Sequence, residues 1–107
     1  MRMTSLKMRE QVAAMLKAIA HPTRLLLLEE LLNGERCVCK LVPMTGAEFS
    51  TVSKHLSLLK AAGLVKSRKR KLNVYYSIDM REAGRIIALS KEGVRAKHSS
   101  FLKAVGG

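Results

Sequence analysis

The segment ERCVCKL, residues 35–41, contains the only two cysteines of the 107-residue chain, Cys37 and Cys39. Two thiols separated by one residue permit an oxidised sulfur pair, a site for a soft metal or metalloid, or two small buried apolar residues. The flanking Arg36 and Lys40 would favour thiolates, which bind soft ions and attack oxidants. The sequence therefore predicts a chemically responsive pair, with inert buried thiols as the alternative.

Backbone geometry restricts how the two cysteines can act together. Residues i and i+2 point to different sides of a helix, whereas they share one face of an extended segment. Cys37 and Cys39 can therefore hold one ion only where a helix start is unwound. A direct disulfide across one residue is expected to be strained. An oxidative response would then favour a polysulfide bridge or a link between subunits.

The softness of sulfur selects the ions that such a pair would bind. Two thiolates suit arsenite or antimonite, and they suit cadmium or zinc if further ligands are added. Structural zinc usually has four protein ligands, and only two are obvious in this chain. A small-molecule thiol, water or a neighbouring group would fill a third position.

A second group of residues has the chemistry of a DNA-reading helix. Recognition helices contact base edges with their first turns, where hydroxyls can bond bases and cations meet phosphates. The alternative is that the Ser and Thr residues only cap and solvate an exposed helix, and that His55 forms a hydrogen bond inward. The candidate DNA-contacting residues in the predicted helix are Ser50, Thr51, Ser53, Lys54, His55 and Lys60.

A dense run of cations follows this helix. Like charges at this density repel one another unless a polyanion neutralises them. A basic hairpin beside the recognition helix would use them along the DNA backbone or the minor groove. The alternative is an edge strand protected by lysines. The predicted phosphate contacts are Arg68, Lys69, Arg70 and Lys71, with Lys66 nearby.

Overall charge restricts the class of partner. The formal net charge is +12, from 20 Lys and Arg against 8 Asp and Glu, which favours nucleic acid first and an anionic membrane second. RNA is disfavoured because Tyr75 and Tyr76 are the only adjacent aromatic residues available for stacking. No apolar run could span a bilayer and the amino terminus is charged, so we expect a cytoplasmic protein. No arrangement of catalytic groups is present, and we expect no enzyme activity.

The elements that would position these residues follow from hydrophobic spacing and turn signals. They predict one domain, residues 1–107, mainly α with a two-stranded β-hairpin (α+β): a winged helix-turn-helix. The helix-turn-helix covers about residues 36–62, with a first helix that ends at Pro43, and the wing covers 64–78. Helices at about 5–20 and 80–105 have apolar faces that the small segment between them cannot cover, which predicts a homodimer formed through these two helices.

Residues 12–80 resemble the ArsR/SmtB family of winged-helix repressors. LKAIAHPTRLLLLEELLNGE is similar to the family's Leu-Lys-Ala-Leu-Ala-Asp-Pro-Thr-Arg opening, and VSKHLSLLKAAGLV and VYYSI are similar to its recognition helix and second wing strand. ERCVCKL resembles the Glu-Leu-Cys-Val-Cys-Asp-Leu motif of the arsenic-responsive branch. The resemblance implies a homodimeric repressor of double-stranded operator DNA that arsenite, at Cys37 and Cys39, releases. A repressor of the same fold that senses oxidant or reactive sulfur is the alternative.

The chain also departs from the family pattern. Glu48 and Phe49 stand where the family usually has Ser and Gln, so the cap of the recognition helix is expected to differ. Lys71 replaces a frequent glycine of the wing turn. In the last helix His98 stands alone, so the second, oxygen- and nitrogen-rich zinc site of some relatives is expected to be absent.

Overall fold

The computed structural model describes residues 4–106 and contains five helices and a small sheet within that range. The elements are, in chain order, α1 (Ser5–Ile19), α2 (Pro22–Leu31), β1 (Arg36–Cys37), α3 (Val38–Thr45), α4 (Phe49–Ala61), β2 (Val65–Arg70), β3 (Asn73–Ile78) and α5 (Ala83–Gly106). Among these residues, no helix combines the length and the apolar character that a bilayer crossing requires.

The first two helices begin at the signals that the sequence contains. The Thr4 side chain accepts a hydrogen bond from the Lys7 amide at 3.1 Å and caps α1. Pro22 occupies the first turn of α2, where its missing N–H removes no helical bond. The Leu-rich body of α2 lies in the centre of the fold, as its apolar character on most sides predicts, and its fully buried residues are Leu27, Leu28 and Leu31.

The helix-turn-helix consists of α3 and α4, joined at Gly46, whose φ of 71° is left-handed. Two boundaries differ from the sequence prediction. The predicted helix-turn-helix segment does not begin with a helix at residue 36, because Arg36 and Cys37 form a strand. Pro43 does not end α3, which continues to Thr45. Pro43 has no N–H, so the Cys39 carbonyl lacks its helical hydrogen-bond donor. Both residues are exposed, so water can donate to this carbonyl instead and the helix can continue past Pro43.

The sheet has three antiparallel strands in the order β1-β3-β2, rather than the two strands of the predicted hairpin. β2 and β3 form the expected wing, with Arg68 opposite Tyr75. β1 adds Arg36 opposite Tyr76 and Cys37 opposite Tyr75 on the other edge of β3. The prediction missed β1 because two residues give no alternating pattern, and because its partner lies about 40 residues further along the chain.

The wing turn contains one of the residues at which the sequence departs from the family pattern. Lys71 has a φ of 58°, a left-handed conformation that a glycine would adopt without steric conflict. For a residue with a Cβ this conformation costs about 1–2 kcal/mol. The turn therefore retains a cation at its tip at the expense of local strain.

The outer helices leave an apolar surface without an intramolecular partner. Ile19 is the buried residue of α1, and Ala83 and Ile87 are the buried residues of α5. Met15 and Ile86 are partly buried against the core, whereas nine further large apolar side chains of these helices remain 42–69% exposed. These exposed residues are Leu6, Met8, Val12, Leu16, Leu89, Val94, Phe101, Leu102 and Val105.

Candidate nucleic-acid interface and cysteine site

Cys37 and Cys39 meet at the junction between β1 and α3. Cys37 is the N-cap of α3 and has an extended backbone, with φ −68° and ψ 142°. The Cys39 amide donates a hydrogen bond to Cys37 Sγ at 3.1 Å. The unwound helix start that joint action of the pair requires is therefore present, and the amino end of a helix stabilises negative charge there.

The two sulfurs are joined directly as a disulfide, with Cα atoms 5.1 Å apart. The extended conformation of Cys37 brings the two side chains to one side. The expectation that oxidation favours a polysulfide bridge or a link between subunits stays a prediction.

The surroundings of the pair match a site with two sulfur ligands. Cys37 is 7% exposed, whereas Cys39 is open to solvent. Within residues 4–106 no group of three or more His, Cys, Asp or Glu side chains could hold a metal ion. The Arg36 guanidinium, expected to act on the thiols, donates instead to Glu30 Oε1 at 3.0 Å. The donor set fits a soft ion that accepts two thiolates and leaves a further position open.

β1 connects the cysteine pair to the wing. Glu35, two residues before Cys37, accepts two hydrogen bonds from Arg68 of β2, each 2.7 Å long. The Arg68 guanidinium also lies over the Tyr75 ring, 5.3 Å from its centre. Its hydrogen bond lowers the pKa of the Glu35 carboxyl below its usual value. The residue that directly precedes β1 therefore restrains one of the wing cations.

α4 presents one face to the core and the other to solvent, as a recognition helix must. Its buried residues are Val52, Leu56 and Leu59. Its predicted DNA contacts with exposed side chains are Ser50, Thr51, Lys54 and Lys60, while Ser53 is half-buried. Lys60 Nζ donates to Ser67 Oγ at 2.8 Å, which links the end of α4 to the wing. Glu48 forms no side-chain cap bond, as its replacement of a Ser predicts.

Sequence reasoning missed one polar member of the outer face. Ser57 is exposed and lies with Ser53 and Lys54 around one open surface pocket. The sequence could have indicated Ser57, because residues three positions apart are neighbours on a helix and Ser57 follows Lys54 by three. We add Ser57 to the candidate DNA-contacting residues.

His55, proposed among the DNA contacts, faces inward instead. Its Nδ1 lies 3.2 Å from Arg24 Nη1, and its ring centre lies 4.5 Å from that of His21. Desolvation, followed by the positive charges of His21 and Arg24, lowers its pKa below 6.5. The inward hydrogen-bonding alternative is the one that this geometry supports, since α4 meets α2 at His55.

The wing tip keeps most of its charge free for a partner. Lys66, Lys69, Arg70 and Lys71 are exposed on β2 and the turn. Arg68 differs, because its guanidinium is engaged by Glu35. The exposed face of α4, rich in hydroxyl groups, and the basic wing tip are therefore held by adjoining elements, an arrangement suited to a DNA groove and its phosphates.

Comparisons with known proteins agree with this geometry. Residues 21–67 match the family model described as "Bacterial regulatory protein, arsR family". An uncharacterised HTH-type transcriptional regulator from Methanocaldococcus jannaschii is 45% identical over 74 residues, which cover 67% of this chain and 83% of that protein. Several other curated relatives are longer, and the chain spans 56% to 57% of their lengths.

Solved structures give the same assignment. The homodimeric winged helix-turn-helix DNA-binding domain of a possible ArsR-family regulator from Mycobacterium bovis is 34% identical, with a TM-score of 0.76; the match covers 92% of this chain and 93% of that one. A possible transcriptional regulator for arsenical resistance is 36% identical, with a TM-score of 0.63, over 73% of this chain and 81% of that one. The chain is thus a winged-helix transcriptional regulator that belongs to the ArsR family.

Proposed function

We propose that this chain is a homodimeric repressor that binds double-stranded operator DNA and releases it when arsenite, or a related soft ion, binds Cys37 and Cys39. Antimonite, cadmium and zinc are the related ions. The observation that carries the proposal is that the two sulfurs meet at the N-cap of α3. That position adjoins both the helix-turn-helix and the wing sheet. As a DNA-bound regulator, the protein would act in the cytoplasm.

The DNA-binding part of the proposal rests on exposure and charge. Ser50, Thr51, Ser53 and Lys54 would contact the major groove from the first turns of α4. Lys69, Arg70 and Lys71 would neutralise phosphates beside it, and each phosphate contact releases counterions. Lys60 would contribute through its position between α4 and the wing.

The dimer proposal rests on the uncovered faces of α1 and α5. Burying a large apolar side chain contributes about 1.5–3 kcal/mol, so an unpaired row of such residues favours association. The Mycobacterium bovis relative is described as homodimeric. A two-fold dimer would place two copies of α4 for two half-sites of an operator.

Ligand binding would be coupled to DNA release through the strand and helix that carry the sulfurs. A soft ion held by both thiolates would require sulfur positions different from those of the disulfide. Cys37 would then move relative to Tyr75, and α3 relative to α4, because Cys37 belongs to the sheet and caps α3. The resemblance of ERCVCKL to arsenic-responsive regulators, and the solved structure described as a possible transcriptional regulator for arsenical resistance, support arsenite as the ligand.

An oxidant or reactive-sulfur sensor is the second candidate function. The direct disulfide between Cys37 and Cys39 favours it, because the pair can close without movement of another element. In this alternative the oxidised and reduced forms would differ in operator affinity. The DNA-binding surfaces would be the same.

A titration of the operator complex separates the two functions. Reduced protein is bound to its operator and titrated in parallel with arsenite, cadmium, zinc and polysulfide. The proposal expects DNA release with an As(III) adduct on the intact protein mass, and no release from the variant Cys37→Ser with Cys39→Ser. Release by polysulfide alone, with a disulfide or persulfide mass, would assign the second function. Equal responses of the variant and the wild type would reject both.

A further inference from the structure

The recognition helix begins with an aromatic side chain that the fold of one chain does not use. Phe49 is the first residue of α4 and is 63% exposed. The residues of α4 that belong to the apolar core are Val52, Leu56 and Leu59, and the Phe49 ring lies outside that core. The ring is therefore available to a partner of the exposed side of α4.

Phe49 lies on the side of α4 that faces the wing. It precedes Ser53 by four positions, so the two side chains are neighbours on the helix. Both line one open cavity of about 410 Å³ together with Leu72 of the wing turn. Exposed cations lie on both elements, Lys54 on α4 and Lys71 at the wing tip. The ring is thus placed between the two surfaces that would contact DNA, beside charges that attract phosphates.

The chemistry of phenylalanine restricts the base edges that this position can accept. Its side chain neither donates nor accepts a hydrogen bond. In the major groove guanine, adenine and cytosine present polar groups alone, whereas thymine presents a C5 methyl group beside one acceptor. A polar edge pressed against the ring would lose water without gaining a hydrogen bond, which costs free energy. The thymine methyl group gains free energy by leaving water, so the ring favours thymine.

We propose that Phe49 reads one thymine in each operator half-site by contact between its ring and the C5 methyl group in the major groove. Recognition helices contact base edges with their first turns, which is where Phe49 lies. Its neighbours Ser50 and Thr51 can pair with several bases, because a hydroxyl both donates and accepts. Phe49 therefore supplies a selection that these hydroxyls cannot. The inference rests on the DNA-binding part of the proposed function and adds the base that one residue selects.

Uracil tests this contact directly, because it differs from thymine only in lacking the C5 methyl group. The preferred site is first selected from a randomised library of DNA duplexes with reduced, full-length protein. Each thymine position is then changed to uracil in both half-sites, and fluorescence anisotropy at fixed salt measures the affinity. We expect one position at which loss of the two methyl groups weakens binding about tenfold, which corresponds to about 1.4 kcal/mol.

Variants of Phe49 test whether its ring causes the preference. Phe49→Ala should bind the thymine and uracil duplexes with equal affinity, close to that of the wild type for the uracil duplex. Phe49→Gln should select adenine at the same position, because a glutamine amide pairs with the N6 and N7 groups of adenine. Leu58→Ala is the matched control and should keep the wild-type preference, because Leu58 is 52% exposed on α4 but lies beyond its first turns.

The outcomes separate this inference from the proposed function. A selected site without a methyl-dependent thymine would overturn the inference, and so would a preference for thymine over uracil that Phe49→Ala retains. Continued selection of thymine by Phe49→Gln would also contradict it. In each of these cases operator binding and its release by a ligand would still stand. Failure to select any DNA sequence would overturn both.

Discussion

At the scale of single residues, the cysteine pair and the wing cations are linked by one ion pair. Glu35 holds Arg68 with two hydrogen bonds of 2.7 Å and lies two residues from Cys37. Two of the five N–H donors of Arg68 are engaged by this carboxylate, so a phosphate that uses the same donors must displace it. Exposed ion pairs are individually weak, so a polyanion can displace Glu35. We therefore propose that Glu35 competes with DNA for Arg68.

Removing this competitor should strengthen DNA binding. In Glu35→Gln the Arg68 guanidinium loses its charged partner and becomes available to a phosphate. We expect severalfold tighter binding to all DNA sequences and a salt dependence steeper by about 0.9 in the slope of log K against log salt. Fluorescence anisotropy across a salt series measures both quantities.

The control for this change is Glu10→Gln, which alters the net charge equally on the exposed side of α1. Equal gains in the two variants would show that only overall charge matters. That result would remove the role assigned to the contact between Glu35 and Arg68.

The wing tip should contribute affinity without sequence preference. Replacing Lys69 and Arg70 with alanine removes two exposed cations. Binding to every DNA sequence should weaken by a similar factor, and the salt slope should decrease by about 1.8, or about 0.9 for each lost phosphate contact. Lys97→Ala with Lys103→Ala, on exposed positions of α5, is the charge-matched control. An unchanged slope in the wing variant would contradict phosphate contact by the wing.

At the scale of elements, α4 meets the N-terminal end of α2 at a cluster of three polar side chains beside the apolar core. His55 lies between Arg24 and His21, which are both positively charged when protonated. Burial and these neighbours lower the pKa of His55 below its ordinary value of 6.5. Protonation of His55 therefore opposes the packing of the recognition helix.

This packing predicts a fold that weakens in mild acid. Well above pH 6.5, His55 is neutral in the folded and unfolded chains alike. As the pH falls below that value, the unfolded chain binds a proton that the folded chain excludes, so the free energy of unfolding decreases until the pH reaches the lowered pKa.

Urea unfolding of reduced protein at about pH 7.5 and about pH 5.5 measures the effect. The free energy of unfolding should decrease less between these two pH values in His55→Gln than in the wild type. His98→Gln, at an exposed position of α5, should behave as the wild type. Identical pH dependence in His55→Gln and wild type would contradict the assignment.

The elements differ in how far sequence alone could predict them. α1, α2 and α4 follow from apolar spacing and from local signals such as Thr4 and Pro22, which act within a few residues. β1 could not be predicted, because two residues become a strand only through pairing with Tyr75 and Tyr76. The inward position of His55 likewise depends on Arg24, 31 residues away. Both features depend on contacts with residues distant in the sequence, and a local sequence pattern carries no information about such contacts.

At the scale of the whole molecule, the account requires two copies of the chain. The described chain measures 59 × 42 × 21 Å, an elongated form in which α1 and α5 retain exposed apolar faces. One winged helix reads one half-site, and two half-sites bound together raise the overall affinity through effective concentration. Dimerisation and operator affinity should therefore be lost together.

A charge on the apolar face of α5 tests this link. Leu102 is 55% exposed, so Leu102→Glu should leave the fold of one chain intact while burying an unpaired charge in a dimer. Analytical ultracentrifugation should show a monomer, and operator affinity should fall at least tenfold. Leu72→Glu, on the wing, should remain a dimer. A dimeric Leu102→Glu protein with normal operator affinity would place the interface elsewhere.

The central claim is that chemistry at two sulfurs controls DNA binding, and one measurement addresses it most directly. Operator affinity is determined at fixed salt for reduced protein with and without one equivalent of arsenite, in the wild type and in Cys37→Ser with Cys39→Ser. The account predicts that arsenite weakens operator binding at least tenfold in the wild type and leaves the variant unchanged. An arsenite response of the same size in both proteins, or in neither, would contradict it.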